Sequence, residues 1–312
     1  MPAGEHKQDA CAAINVMGYE GMRKHIEYYF LKILETVFSL FSFGISRKIG
    51  ACIGIVAYLV DRSHRQVARE NLCAVFKDKK LQEIDKIIKR VYVNLGQSLA
   101  EFFYIPWVDR RFVDRFVEIK GKEYMDAALA QGKGVINVVG HFGNWELINP
   151  VYRVFGYPLT AVAYPQNNEL TNEVINQYRI SSGAVIVTNE EPYKNLVKIL
   201  SQGGLLILVA DQDAGSHGIF VDFLGKQAST AKGPAILALR TSAPIIITCL
   251  IRKGSGYQMI MSKPLELIKT DNWKEDVFIN TRLWCKGLEE YIYQYPDQWF
   301  WLHRRWKTRV GG

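Results

Sequence analysis

Apolar positions recur at helical spacing in the first third of the chain and at strand spacing in the rest. Between Arg65 and Tyr104, Val67, Leu72 and Val75, then Ile84, Ile87, Ile88, Val91, Leu95 and Leu99, repeat every three or four residues, as the buried stripe of a helix does. Pro106 closes that region. Beyond it, compact β-rich runs appear at 135–139 (VINVV), 160–164 (TAVAY), 184–187 (AVIV), 205–210 (LLILVA) and 245–251 (IIITCLI). Helical patterns separate them, at Glu146 to Phe155, Leu170 to Ile180, Pro192 to Ser201 and Pro234 to Thr241. Strands alternating with helices predict an α/β fold with a mostly parallel sheet flanked by helices.

Residues 26–60 are more apolar than either part, but Lys32, Glu35 and the pair Arg47 and Lys48 interrupt them. A spanning helix needs about 20 predominantly apolar residues, and the longest clean run, Thr36 to Ser46, falls short. The pattern predicts a pair of helices lying in the headgroup region, with Tyr28, Tyr29, Phe30, Phe38, Phe41 and Phe43 suited to a membrane boundary. A tilted span starting near Ile26, or plain burial, are the alternatives. The chain therefore divides into a flexible segment (1–25), a helical membrane-associating extension (26–110) and an α/β catalytic domain (111–312).

Composition narrows the partners. Of 312 residues, 48% are apolar and 22% charged, which suits a globular protein with a sizeable core. The net charge of +8 favours an anionic partner such as a phospholipid surface, a phosphorylated glycolipid, an acidic carrier protein or nucleic acid. Cys11, Cys52, Cys73, Cys249 and Cys285 are scattered and odd in number, indicating neither a disulfide framework nor a zinc site and suiting a reducing compartment. The first fifteen residues lack the apolar core of a secretory signal.

The chemistry is expected where VINVVGHFGNWELINP leaves its strand, because ligands bind at the carboxyl ends of strands in open α/β sheets. His141 and Glu146 are five positions apart, which on a regular helix would separate them by about 140°. With His141 in a turn and a helix starting near Gly143, Glu146 can face back toward the imidazole. A carboxylate on one ring nitrogen fixes the tautomer and raises the basicity of the other, suiting removal of a hydroxyl proton. N–H groups near Gly143 and Asn144 are candidates for holding an oxyanion. The competing reading makes His141 a turn residue and Glu146 a helix-start acid.

His-Phe-Gly-Asn-Trp-Glu (141–146) resembles the active-site block of the late acyltransferases of lipid A biosynthesis. ARENL (68–72), ADQD (210–213), FVDFLGKQASTAKGPAILALRTSAPII (220–246) and PDQWFWLHRRWKTR (296–309) resemble the same family in the same order. The resemblance implies acyl carrier protein as donor, a lipid A precursor as acceptor and attachment to the cytoplasmic face of the inner membrane. It places the chain in the wider glycerolipid acyltransferase group, whose sites use His-x4-Asp or His-x4-Glu, here with Glu146. Phosphatidylinositol mannoside acyltransferases share that fold. Arg179 matches a family arginine, able to stabilise an oxyanion or grip a phosphate, or else a surface helix cation. Asp211 and Asp213 match a family acidic position, which implies a role in orienting the acceptor sugar or the basic groups around it.

Asp211 and Asp213 also form a D-x-D pattern, so a metal-dependent glycosyltransferase is the rival enzyme class. No G-x-S-x-G, G-x-G-x-x-G or G-x-x-x-x-G-K-[ST] occurs, and neither a cofactor nor a resident metal is predicted. The tail combines Trp299, Trp301 and Trp306 with Arg304, Arg305, Lys307 and Arg309. That mixture suits a phospholipid or phosphorylated sugar, with buried tryptophans and solvated cations as the alternative. Nucleic acid is not expected, since no recognition motif accompanies the charge.

Overall fold

The computed structural model describes the backbone of residues 5–311 and the side chains from Gly21 onward. The flexible segment expected over 1–25 falls largely outside the described side chains; its backbone from Glu5 belongs to a helix. Helices α1 (Glu5–Ser39), α2 (Phe43–Val60), α3 (Arg62–Val75) and α4 (Leu81–Phe102) lead the fold. Asp61 separates α2 from α3 by accepting the His64 N–H at 3.1 Å, an N-cap that ends one helix and starts the next.

The remainder alternates: α5 (Arg110–Phe116), β1 (Val117–Lys120), α6 (Lys122–Leu129), β2 (Val135–Gly143), a 3₁₀ turn (Trp145–Leu147), α7 (Ile148–Val154), β3 (Leu159–Ala163), α8 (Glu169–Ser181), β4 (Val185–Thr188), α9 (Tyr193–Ser201) and β5 (Leu205–Val209). A hairpin of β6 (Ile219–Phe223) and β7 (Lys226–Thr230) follows, then α10 (Gly233–Thr241), β8 (Ile245–Lys253), β9 (Gly256–Met261) and α11 (Trp273–Gln294). The main sheet has seven strands in the order β1-β9-β8-β2-β5-β3-β4. Neighbours run parallel except β8 and β9.

Alternate residues of a strand face opposite sides of its sheet. Ile136, Val138, Ile245 and Ile247 join Leu72, Ile84, Ile88 and Trp284 in one core; Val135, Val139, Ile246 and Leu250 join Phe38, Val113, Ile148 and Val174 in the other. With both faces covered, the central strands read as unbroken apolar runs, which is why the sequence marked them so clearly.

The leading helices are half in and half out. α2 approaches α4 backbone to backbone: a Cβ on Gly50 would lie 2.3 Å from the Gly96 carbonyl oxygen, and one on Gly54 2.2 Å from that of Tyr92. Outside that contact, Ile26, Phe30, Ile33, Leu40, Phe41, Val56, Leu59 and Val60 on α1, α2 and the turn between them are exposed. α2 passes the length and composition test for crossing a membrane, with a mean hydropathy of 1.5. It contains the interrupting pair Arg47 and Lys48, and Arg47 is buried in the fold with its guanidinium against Glu101. Among the described residues, the helix long and apolar enough to cross a membrane is Phe43–Val60.

Candidate active site

The register of the sheet makes the site. β2 and β5 run parallel with Val135 beside Leu205 and Val139 beside Val209, always 70 positions apart. The same offset, carried two residues beyond the paired segment, sets His141 beside Asp211. Here β2 also slips against β8: Val139 pairs with Thr248 but Gly143 with Leu250, so the stretch between is longer on β2. Such an irregularity lifts residues out of the ladder and re-aims their side chains. Gly143 completes the return at a φ of 59°, where a Cβ would lie 1.9 Å from the Leu250 carbonyl oxygen, so only glycine fits.

His141 Nδ1 lies 2.6 Å from Asp211 Oδ1, and the His141 main-chain N–H donates to Asp211 Oδ2 at 2.8 Å. The Trp299 indole N–H donates to that same Oδ2 at 2.7 Å. Burial alone would push the Asp211 carboxyl up; the charge of His141 and the bonds from His141 and Trp299 together hold it below the usual carboxylate value. An ionised carboxylate can only accept, so Nδ1 carries the proton and Nε2 is left as the basic nitrogen. The ring lines a cleft and meets Trp145 edge-on at 5.0 Å. The tail holds this arrangement from outside, since Phe142 bridges Trp299 and the Phe300 N–H donates to the His141 carbonyl at 3.0 Å.

The cleft encloses 680 Å³, within the roughly 300–1,000 Å³ range of ligand sites. Val139, Ala161, Val162, Ile207 and Val209 from the strand ends give it an apolar wall, while Asn149, Gln166, Gln212, His217 and Lys307 add polar groups. Such a site suits a ligand with a hydrocarbon part and a polar part. Glu146 and Arg179 also line it, joined as a two-pronged ion pair at 2.6 Å and 3.2 Å. Burial works against the Arg179 charge, but the adjacent Glu146 carboxylate more than compensates and holds the guanidinium above its ordinary pKa.

Several expectations change. Glu146 does not orient His141: the chain leaves Gly143 into a 3₁₀ turn, Glu146 closes on Arg179, and Asp211 takes the imidazole. Of the two roles expected for Asp211, its bonds fit the second: they go to a basic group, His141, and not to open cleft space. Asn144 does not line the cleft; it is buried, its N–H donates to the Leu250 carbonyl at 3.3 Å, and its amide donates to Glu101 at 2.6 Å. The N–H expected to hold an oxyanion there is already bonded. Arg305 is fully buried, donating to the Ser229 carbonyl and Thr230 Oγ1 at 2.6 Å each, with its guanidinium 4.7 Å from the Phe223 ring centroid. It ties the tail to the hairpin and offers nothing to a membrane surface.

Asp213 lines the cleft but accepts from Thr308 Oγ1 at 2.8 Å and from the Gly215 N–H at 3.2 Å. With Asp211 held by His141 and Trp299, the two carboxylates of the D-x-D pattern serve separate protein donors. Trp299 and Trp301 are buried, whereas Arg304, Lys307 and Arg309 are exposed. Burial also pushes the Cys249 and Cys285 thiols up, so neither is a ready nucleophile.

Three contributors escaped the sequence reading: Trp299 as a donor to Asp211, Glu101 beneath Asn144, and His303 at the cleft. A carboxylate on the core-facing stripe of α4 was the available sign of Glu101. Burial and the nearby Lys307 push His303 down to about 4, below the ordinary histidine value of about 6.5. Its neutral form therefore stabilises the fold fully above about pH 6.5, and that contribution is lost as pH falls toward 4. His303→Gln is expected to flatten the thermal-melting profile across that window; an unchanged profile would remove His303 as the cause.

The chain matches the family model described as bacterial lipid A biosynthesis acyltransferase over residues 19–308. It is 29% identical over 274 residues to a lipid A biosynthesis palmitoleoyltransferase of Escherichia coli strain K12, covering 85% of each chain. It is 30% identical over 281 residues to a lipid A biosynthesis lauroyltransferase of the same organism, covering 85% of this chain and 86% of that one. A phosphatidylinositol mannoside acyltransferase of Mycolicibacterium smegmatis is 26% identical over 243 residues, covering 76% and 78%. With nearly its whole length matched and His141 presented at the mouth of a part-apolar cleft, the chain belongs to the bacterial lipid A biosynthesis acyltransferase family.

Proposed function

We propose that this enzyme transfers a fatty acyl chain from acyl carrier protein to a hydroxyl of a lipid A precursor at the cytoplasmic face of the inner membrane. The observation that carries the reading is the His141–Asp211 pair, 2.6 Å apart beside the cleft. In this mechanism Nε2 of His141 takes the proton of the acceptor hydroxyl as its oxygen attacks the thioester carbonyl. Asp211 keeps the ring in the competent tautomer and stabilises the imidazolium that forms. Arg179, steadied by Glu146, faces the negative charge that develops on the carbonyl oxygen. That attack forms the ester C–O bond; collapse of the tetrahedral adduct restores the carbonyl and breaks the C–S bond, and the imidazolium gives its proton to the departing thiolate.

The apolar strand ends receive the acyl chain; Asp213, Gln212 and Lys307 meet the polar acceptor. Arg304 and the other exposed tail cations meet anionic headgroups or phosphates. The exposed apolar face of α1 and α2 seats the enzyme on the bilayer, since a contiguous patch of that kind marks a membrane or protein contact. Among the described residues, Cys52, Cys73, Cys249 and Cys285 are free thiols. The mannoside acyltransferase relative supports a second reading in which the acceptor is another glycolipid.

The test is acyl transfer from labelled acyl carrier protein to purified lipid A precursor and, separately, to a phosphatidylinositol mannoside. Labelled product with the first acceptor and none with the second is expected. Transfer only to the second would move the acceptor assignment, and release of free fatty acid with neither would make the enzyme a hydrolase.

A further inference from the structure

The loop carrying His141 and Glu146 rests on a buried charge cluster that no part of the proposed chemistry uses. Glu101, on α4, is fully buried. One carboxylate oxygen pairs with Arg47 of α2 at 2.9 Å and with Arg252 of β8, also a close contact. The other accepts from the Asn144 amide at 2.6 Å. Arg252 is held in turn by Ser98 Oγ at 2.9 Å, and Tyr257 of β9 lies beneath both guanidiniums, 5.6 and 5.5 Å from its ring centroid. Ser98 also reaches the Gly143 carbonyl at 3.4 Å. The turn between His141 and Glu146 is thus held from one side by Glu101 and Ser98 of α4.

Breaking a buried charge pair is strongly destabilising, and keeping one brings little stability beyond an apolar replacement. A fully buried carboxylate between two arginines therefore calls for a reason other than stability, and Asn144 supplies it. Asn144 stands three residues after His141 and two before Glu146, so its displacement moves both. Arg47, at the other end, belongs to the helix whose outer face is apolar and whose inner face is locked to α4 through Gly50, Gly54 and Gly96.

We propose that Glu101 is a positioning residue, joining the membrane-facing helix α2 through Arg47 to the catalytic turn through Asn144. The inference rests on the acyl-transfer reading given above. Its consequence is that the distance between His141 and the Arg179–Glu146 pair is set by helices at the bilayer, not by the sheet alone.

The test uses the full-length enzyme with the same labelled donor and acceptor. Asn144→Ala removes the link while leaving Glu101 and both arginines in place. Because a misplacement of about 1 Å can cost about 100-fold, its kcat is expected to fall about 10- to 100-fold with KM for either substrate nearly unchanged. Asn144→Asp sets a second carboxyl against Glu101, with Arg47, Arg252 and Tyr257 as the other charged or titratable groups facing it. Only its protonated form can donate as the amide did, so kcat is expected to recover toward wild type as pH falls, a trend absent from Asn144→Ala. A raised KM with normal kcat, or equal pH profiles for the two variants, would overturn the proposal. His141→Ala, run alongside, separates the two failures: if it turns over like wild type, the acyl-transfer reading itself is lost.

Discussion

Asp211→Asn is expected to lower kcat by about a thousand- to ten-thousand-fold, the scale seen when a catalytic histidine is held in the wrong tautomer, while leaving KM nearly unchanged. Two N–H groups, from the His141 backbone and Trp299, both donate to Oδ2. An asparagine must therefore turn its carbonyl oxygen to that position. Its NH2 group then faces Nδ1 of His141, where it can only donate. The imidazole is driven to carry its proton on Nε2, the nitrogen that has to accept one from the substrate. His141→Ala should cost about 10²- to 10⁴-fold, the usual contribution of a general base. The double variant should be little worse than the more damaged single variant, because members of one catalytic unit do not add. Asp211→Asn retaining a tenth of wild-type turnover in steady-state assays would exclude the dyad.

The second large effect falls on Arg179. Arg179→Ala is expected to lower kcat by about 10²- to 10³-fold, the cost of removing one donor to a developing oxyanion. Arg179→Lys should restore little, because a lysine cannot reproduce the two-pronged contact with Glu146. Glu146→Ala should fall less, since the cation survives but loses its aim. The loss in that variant should appear in turnover more than in acceptor binding, as expected for an interaction made in the transition state. If Arg179→Ala instead raises the acceptor KM at unchanged kcat, the guanidinium is a phosphate grip and not an oxyanion partner.

These expectations depend on partnerships of very different visibility. The strands at 135–139 and 245–251 were legible because burial on both faces leaves a run of apolar residues that needs no partner to be noticed. β1 was not, being four residues long with Glu118 and Lys120 exposed on one side. Helix α11 carries a helical signal of its own, with Val277, Thr281, Trp284, Leu288 and Ile292 buried at helical spacing. The hairpin of β6 and β7 turns through Leu224 at a φ of 54° and Gly225 at 77°, and a leucine in that conformation gives no local warning.

His141 and the strand end that presents it belong to the sequence alone, since a buried run followed by a histidine, a glycine and a helix start is a local pattern. Its partner does not. Glu146 is five residues away and Asp211 seventy, yet the parallel register of β2 and β5 brings the distant carboxylate to 2.6 Å. The same holds for Arg305, which reads as one more tail cation until the hairpin closes over it, and for Asn144, which reads as a cleft residue until Glu101 claims its amide. Local order along the chain determined which segments fold and where chemistry is exposed. Which charge neutralises which was decided only by strand register and helix packing, because charge pairing depends on separation in space.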